Sequence, residues 1–403
     1  MAALRVLYSF PHALGRPGIG TTAYHQVVSL AELGCSVTLY CASVVRPLPS
    51  SVRVLTTLAV AGRRVPQRVV GVDRSYAFHD SRVAHELRAH AGRYDVVHTW
   101  PLGGEATLRA ARAAGVPGLR EVPNTHTAHA MAVVAAEFRR LGLTQPIGHS
   151  HTVSSARLRR EYAEYEAAAG LLVPSDASAR TFLDRGFPPD GLLRHHYGYD
   201  PADFRPQDRV AGTFTAVFAG RCEPRKGLHH ALRAWRQSGA GHRGGRLLVC
   251  GGFDPDYERL LAGDLAQPGV EVVGFSDRLA ELMGTADVLV LPSLEEGSAL
   301  VSYEAMASGM VPLVSTATGA PVRADHDALL HEPGDVAALA AHLELVTTDP
   351  IRLATLRRNA LETARGLTWT DSGRRLMECY ELSIAQREAA VLAVRATRPE
   401  EAG

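Results

Sequence analysis

Lysine is almost missing from this chain. Across 403 residues Lys226 is the only lysine, and the rest of the 43 basic residues are arginine. Cysteine is scarce as well. Cys35, Cys41, Cys222, Cys250 and Cys379 are scattered with no Cys-x-x-Cys pair, which excludes a disulfide framework and a cysteine-based zinc site. No run of ~18 apolar residues occurs, so no membrane-spanning helix is expected. The apolar start over 3–10 carries Arg5 and is stopped by Pro11, unlike a secretory leader. Excess charge of one sign is also lacking. The 43 basic and 42 acidic residues leave a net charge of +1, which supplies no drive toward nucleic acid. Together these absences imply a reduced, cytoplasmic protein.

What is present is ordinary globular material, 46% hydrophobic and 21% charged, in a length that suits two to three domains. Strand-like apolar runs alternate with amphipathic stretches. Strands are expected near 4–9, 36–41, 94–99, 118–122 and 170–173, with helices near 24–33, 81–91, 105–114, 154–168 and 177–185. The pattern lapses over 195–212, around Tyr197-Gly198-Tyr199-Asp200-Pro201, which reads as a hinge. It resumes with strands near 215–218, 246–250, 270–273, 287–291 and 311–315, separated by helical segments. The expectation is α/β, two doubly wound parallel-sheet domains. Their boundaries fall at 1–197 and 198–368, followed by 369–403, where one or two amphipathic helices lead to a frayed end over 395–403.

Ligands of such sheets bind beyond the carboxyl ends of the strands. Two loops there carry chemistry. Gly220-Arg221-Cys222-Glu223-Pro224-Arg225-Lys226-Gly227 follows the first strand of the second domain and opens a helix. Arg221 and Lys226 form a pair of cations at a helix start, suited to a diphosphate. Lysine gives a compact charge on a flexible stem where arginine gives a planar fork, so the survival of the lone lysine at this position marks it as a place that needs the former. The second loop runs through Glu295-Glu296-Gly297-Ser298-Ala299-Leu300 to Glu304. Glu296 can enter a cleft from the loop, Glu304 sits on the first turns of the following helix, and the N–H groups of Ser298, Ala299 and Leu300 are free to meet phosphate oxygens.

The frame Gly220-Arg221-x4-Lys226-Gly227 and, some 70 residues on, Glu296-x7-Glu304 before Ala305-Met306-Ala307-Ser308-Gly309 resembles glycosyltransferase family 4. Asp95-Val96-Val97-His98, Val173-Pro174-Ser175 and Tyr197-Gly198-Tyr199-Asp200 extend the likeness into the first half. The resemblance implies the GT-B architecture, two Rossmann-like domains facing across a cleft with a C-terminal helix crossing back to the first. It implies an acceptor-binding first domain, a donor-binding second domain, and retaining transfer of a hexose-type sugar from a nucleoside-diphosphate sugar, UDP or GDP foremost, without a catalytic metal or other cofactor. Arg221 and Lys226 would hold the diphosphate and neutralise it as it leaves, Glu296 would touch the sugar, Glu304 the ribose, and the backbone near Phe275 the base. Gly18 and Gly20, on the loop after the first strand, would let backbone approach phosphates and acceptor, and Gly220 and Gly297 would line the donor beside Ser298, Ala299 and Leu300. His126 resembles the histidine that family members place beside the reacting sugar.

Two departures stand out. Gly297-Ser298-Ala299 replaces the frequent Gly-Phe-Gly, and Thr318-Gly319-Ala320 replaces a paired glycine; both bear on the choice of sugar. By the resemblance, the acceptor would be a hydroxyl or thiol of a small molecule, glycan or lipid. Arg157, Arg159 and Arg160 beside Arg139 and Arg140 would suit peripheral membrane contact, but interleaved Glu161, Glu164 and Glu166 favour a solvated helix face. A nucleotide-sugar epimerase or hydrolase and a catalytically silent sugar-nucleotide binder are the alternatives.

Overall fold

The computed structural model describes residues 3–60, 63–64, 71–208 and 213–396. Two parallel sheets organise them. The first holds β1 (Arg5–Leu14), β2 (Ser36–Val44) and β3 (Arg53–Thr56). A small antiparallel ribbon of β4 (Ala59–Val60) and β5 (Arg63–Arg64) intervenes before β6 (Val96–Thr99), β7 (Gly118–Glu121), β8 (Gly170–Val173) and β9 (Leu192–Arg194). The sheet order is β3-β2-β1-β6-β7-β8-β9. The second sheet holds β10 (Thr215–Ala219), β11 (Arg246–Cys250), β12 (Val270–Gly274), β13 (Val288–Leu291), β14 (Val311–Ser315) and β15 (Leu329–His331), in the order β12-β11-β10-β13-β14-β15. Each sheet begins in its middle, winds to one edge and returns to build the other side. The reversal leaves a crevice at the ends of β1 and β10, where doubly wound sheets take their ligands.

The central strands are buried on both faces, as parallel sheets require. Val6, Leu7, Tyr8 and Phe10 of β1 and Ala216, Val217 and Phe218 of β10 are wholly buried. β1 runs past Pro11, where 4–9 was the expected extent. The pairing with β2 slips between Phe10 and Ala13, because proline has no N–H to give the ladder and a bulge absorbs the gap.

The chain crosses between domains twice, side by side. Tyr199 N–H donates to Leu367 O at 3.2 Å, and Trp369 N–H donates to Tyr199 O at 3.2 Å. Gly198 allows the approach, since a Cβ there would lie 2.6 Å from the Thr368 carbonyl carbon. After this crossing the helix Trp369–Ala396 returns to the first domain. Its Leu376, Cys379 and Tyr380 join the core of β1 and β2, and Tyr380 Oη meets His98 Nδ1 at 2.7 Å. The closing segment is one helix; most of the expected frayed end lies outside the described residues. All five cysteines are free and buried. Among the described residues no helix is long and apolar enough to cross a membrane.

Candidate functional site

A cleft of about 970 Å³ opens between the domains at the strand ends. The first domain gives it Pro17, Gly18, Ile19, Thr22, Pro123 and Tyr197; the second gives Gly220, Arg221, Lys226, Phe275, Glu296, Ser298, Ala299, Leu300 and Glu304 among others.

The loop after β10 folds into a short turn, Pro224–Lys226, and then the helix Leu228–Ser238. Gly227 joins them at φ +72°, and a Cβ there would sit 2.2 Å from Pro292 O. Only glycine fits both conditions. This tight approach lays Lys226 against the loop that follows β13. Lys226 Nζ pairs with Glu296 Oε1. Arg225, between the two expected cations, turns inward: Nη1 donates to Glu295 O at 2.8 Å and lies 3.0 Å from Glu296 Oε2, while Nε donates to Glu223 Oε1 at 3.0 Å. Ser293 Oγ donates to Glu296 Oε1 at 3.1 Å. Burial opposes ionisation of Glu296, but the Arg225 and Lys226 cations outweigh it and hold the carboxyl below its usual range.

Arg221 lines the same cleft with its side chain 60% exposed, and Nη2 donates to Asp254 Oδ1 at 2.6 Å. The helix Leu300–Ala307 starts at Ala299 without a side-chain cap. Ser298, Ala299, Leu300 and Val301 all line the cleft. Of the three N–H donors expected there, that of Ala299 is already given to Thr318 O at 3.0 Å, and Ser302 N–H closes the first turn on Ala299 O at 2.9 Å, which leaves the N–H groups of Ser298 and Leu300. Glu304, one turn on, is partly covered; burial, with Asp203 adding to it, raises its carboxyl to about 7. Phe275 is a bare ring on the cleft wall, 86% exposed.

Glu295 ties this loop to the first domain. Thr125 N and Oγ1 donate to its Oε1 at 3.1 and 2.6 Å. Gly297 continues the seam: a Cβ would lie 2.2 Å from Pro123 O, and Ser175 Oγ donates to Gly297 O. Gly297 therefore packs the domains together rather than lining the cleft.

Two other expectations are corrected. His126 does not face the cleft. It is fully buried and caps the helix Thr127–Arg140, with Nδ1 accepting from Ala128 N at 3.2 Å. Its ring packs among Tyr162, Tyr165, Phe182 and Phe187, because a helix start at Thr127 rolls the side chain toward that aromatic cluster. Gly20 lies off the main cleft, lining a smaller cavity of about 210 Å³ with His12, Arg16, Pro17 and Ile19. The residues that sequence reasoning missed are Arg225, Glu295, Asp254 and Tyr197. Arg225 lay inside the basic motif, where spacing alone reads as a solvated loop; only the tight turn shows which of the adjacent cations goes inward.

Two facing doubly wound domains with a cation-bearing cleft define a GT-B glycosyltransferase, and comparison with known proteins agrees. The family model described as Glycosyltransferase Family 4 matches residues 17–203, and that described as Glycosyl transferases group 1 matches residues 200–363. D-inositol 3-phosphate glycosyltransferase 1 of Catenulispora acidiphila is 31% identical over 330 residues, 74% of each chain. The D-inositol 3-phosphate glycosyltransferase of Stackebrandtia nassauensis is 30% identical over 338 residues, 75% of this chain and 72% of that one. Among solved structures, sucrose-phosphate synthase of Thermosynechococcus elongatus superposes with a TM-score of 0.70 at 21% identity, covering 95% of this chain and 100% of that one. Anabaena HepE in complex with UDP and glucose superposes with a TM-score of 0.63 at 16% identity, covering 93% and 98%. The chain belongs to the family 4 glycosyltransferases, and it is an enzyme of the transferase type.

Proposed function

We propose that the chain moves a hexose-type sugar from a nucleoside-diphosphate sugar, UDP or GDP, to a hydroxyl or thiol of an acceptor with retention at the anomeric carbon, using no catalytic metal. The observation that carries this reading is the pairing of Lys226 with Glu296 inside the cleft, beside Arg221 and an uncapped helix start. An ammonium, a guanidinium and the N–H groups of Ser298 and Leu300 converge where a pyrophosphate would lie.

In the proposed reaction the bond between the sugar C1 and the phosphate oxygen breaks and the acceptor oxygen or sulfur bonds to C1 from the same face. The acceptor proton passes to the departing phosphate oxygen. Negative charge grows on the diphosphate as it leaves, so Lys226 and Arg221 lower the barrier most in the transition state. Arg221 would leave Asp254 to do so; its exposed fork is free to swing. Glu296, pinned between cations, is a weak proton acceptor, which fits it to hold sugar hydroxyls rather than to act as a general base. Glu304 would accept hydrogen bonds from the ribose, and Phe275 would border the base.

The acceptor enters from the first domain. The smaller cavity adjoins the cleft through Pro17 and Ile19 and presents His12 and Arg16. The relatives named for D-inositol 3-phosphate make a phosphorylated polyol the first acceptor to try, ahead of other small molecules, glycans and lipids. The test is product analysis with UDP-glucose, UDP-N-acetylglucosamine and GDP-mannose, each with D-inositol 3-phosphate. An α-linked product from an α-linked donor supports retention. A β-linked product overturns it, and a free 2-epimer of the donor would instead establish epimerase action.

A further inference from the structure

Behind the donor loop the two domains meet through a second cluster of ligating side chains. Glu137 lies on the first-domain helix Thr127–Arg140, while His229 and His230 open the second-domain helix Leu228–Ser238. All three are buried, and one ligand atom from each lies within 4.8 Å of the other two. His229 Nε2 stands 2.8 Å from Glu137 Oε1, and His230 Nε2 stands 3.7 Å from it. Ligand atoms around a tetrahedral ion with bonds of about 2.0–2.1 Å lie about 3.3 Å apart, so the two separations bracket that value.

Two further features favour a cation here. Tyr257 Oη lies 2.6 Å from His229 Nδ1 and accepts from the His229 backbone N–H at 3.0 Å. The hydroxyl steadies the ring from its far side, the outer partner a metal-binding imidazole usually has, and Arg140, which can only donate, meets His229 Nε2 as an acceptor. The centre of the cluster is also already held by positive charge. Arg140 Nη2 sits 2.8 Å from His229 Nε2, 3.2 Å from His230 Nε2 and 2.5 Å from Glu137 Oε1. Three acceptors share the two hydrogens of one nitrogen. The arginine side chain is 46% exposed, so its head group can withdraw to water.

We propose that Glu137, His229 and His230 form a domain-bridging site for a divalent transition ion of the zinc or cobalt type, with the Arg140 guanidinium holding the place when the ion is absent. Two imidazoles and a carboxylate suit such ions better than magnesium or calcium. The ion would lock the start of the helix that follows Lys226 against the first domain, away from the reacting atoms. The neighbouring cluster of His149, Glu223 and Asp254 is the weaker candidate, because two arginines hold its carboxylates and one of them, Arg225, is mostly covered and tied to other partners, where Arg140 is single and half-exposed.

The test is calorimetric titration of chelator-treated full-length protein with ZnCl2, together with the visible spectrum of the CoCl2-loaded protein. One ion per chain is expected, with tetrahedral cobalt bands. His230→Ala should weaken binding by about tenfold or more, and Arg140→Ala, which removes the competing cation from a half-exposed position, should tighten it. Absence of binding tighter than millimolar in both the natural protein and Arg140→Ala overturns the proposal. So does binding that Asp254→Asn abolishes while His230→Ala leaves it intact.

Discussion

At the scale of single residues, charge placement decides the chemistry. Lys226 and Arg225 are adjacent, yet one reaches the cleft and the other disappears beneath it to clamp Glu223, Glu295 and Glu296. Glu304 carries a pH signature. Its carboxyl stands near 7 in the folded chain against 4.5 for an ordinary glutamate, raised by burial and then by Asp203. The folded protein therefore keeps a proton there that the unfolded chain has lost, so stability from this group falls as pH rises from about 4.5 to about 7. The cost above that window is on the order of 3 kcal/mol. Glu304→Gln should raise the melting temperature at pH 8 and leave it nearly unchanged at pH 4. Nucleotide binding should run the opposite way. An ionised carboxylate accepts ribose hydroxyl protons better, so diphosphate affinity should rise more steeply between pH 6 and pH 8 in the natural protein than in the variant, as read by calorimetry. The variant's remaining rise belongs to the terminal phosphate, itself titrating at about 6.

His126 teaches the reverse lesson about legibility. Its position after β7 made it a cleft residue by resemblance, but the helix beginning at Thr127 was not visible in the pattern over 124–130, and the cap it provides turned the ring inward. His126→Ala should cost about 1–2 kcal/mol of stability through the lost cap and packing. The kcat of the folded fraction should stay within about twofold, with chemical denaturation and steady-state rates as the readouts. A hundredfold loss of kcat at unchanged stability would return the histidine to the reaction.

Among elements, the strands of continuous apolar sequence were legible because parallel strands bury both faces. The helix Glu105–Ala114 begins and ends where Glu105 and Gly115 mark it. The edge strands β3, β9 and β15 were not: β3 is mostly exposed and so lacks a buried apolar run, and β9 and β15 have only three residues each. The helix Pro350–Ala364 likewise escaped notice, although Pro350 at its first turn and the Asp349 cap are ordinary start signals. The glycine loops were legible as loops, but not their purpose. Gly297 looked like a ligand-side glycine and proves to be where the second domain touches Pro123. Gly297→Ala should push the domains apart, lowering kcat severalfold or more while donor diphosphate affinity changes little, because the cations and Glu304 sit on one domain. Equal loss of both would place Gly297 at the ligand instead.

For the molecule as a whole, the two-domain plan followed from the alternating pattern and its lapse near Tyr197, and the helix that crosses back to the first domain from the resemblance, but the individual contacts that join the parts followed from neither. Contacts such as Thr125 with Glu295 or Tyr380 with His98 link residues far apart in sequence, and no local period reports them. On the proposed function, this assembly makes a cleft whose second-domain wall would offer Lys226 and Arg221 to a leaving diphosphate. Isothermal titration of UDP and of GDP into the natural protein and into Lys226→Ala measures that most directly. One diphosphate should bind at one site per chain, and the substitution should weaken it by about 10- to 100-fold, the worth of a charge-assisted hydrogen bond of about 1.5–3 kcal/mol. Undiminished binding by Lys226→Ala, or no binding of either nucleotide by the natural protein, would contradict it.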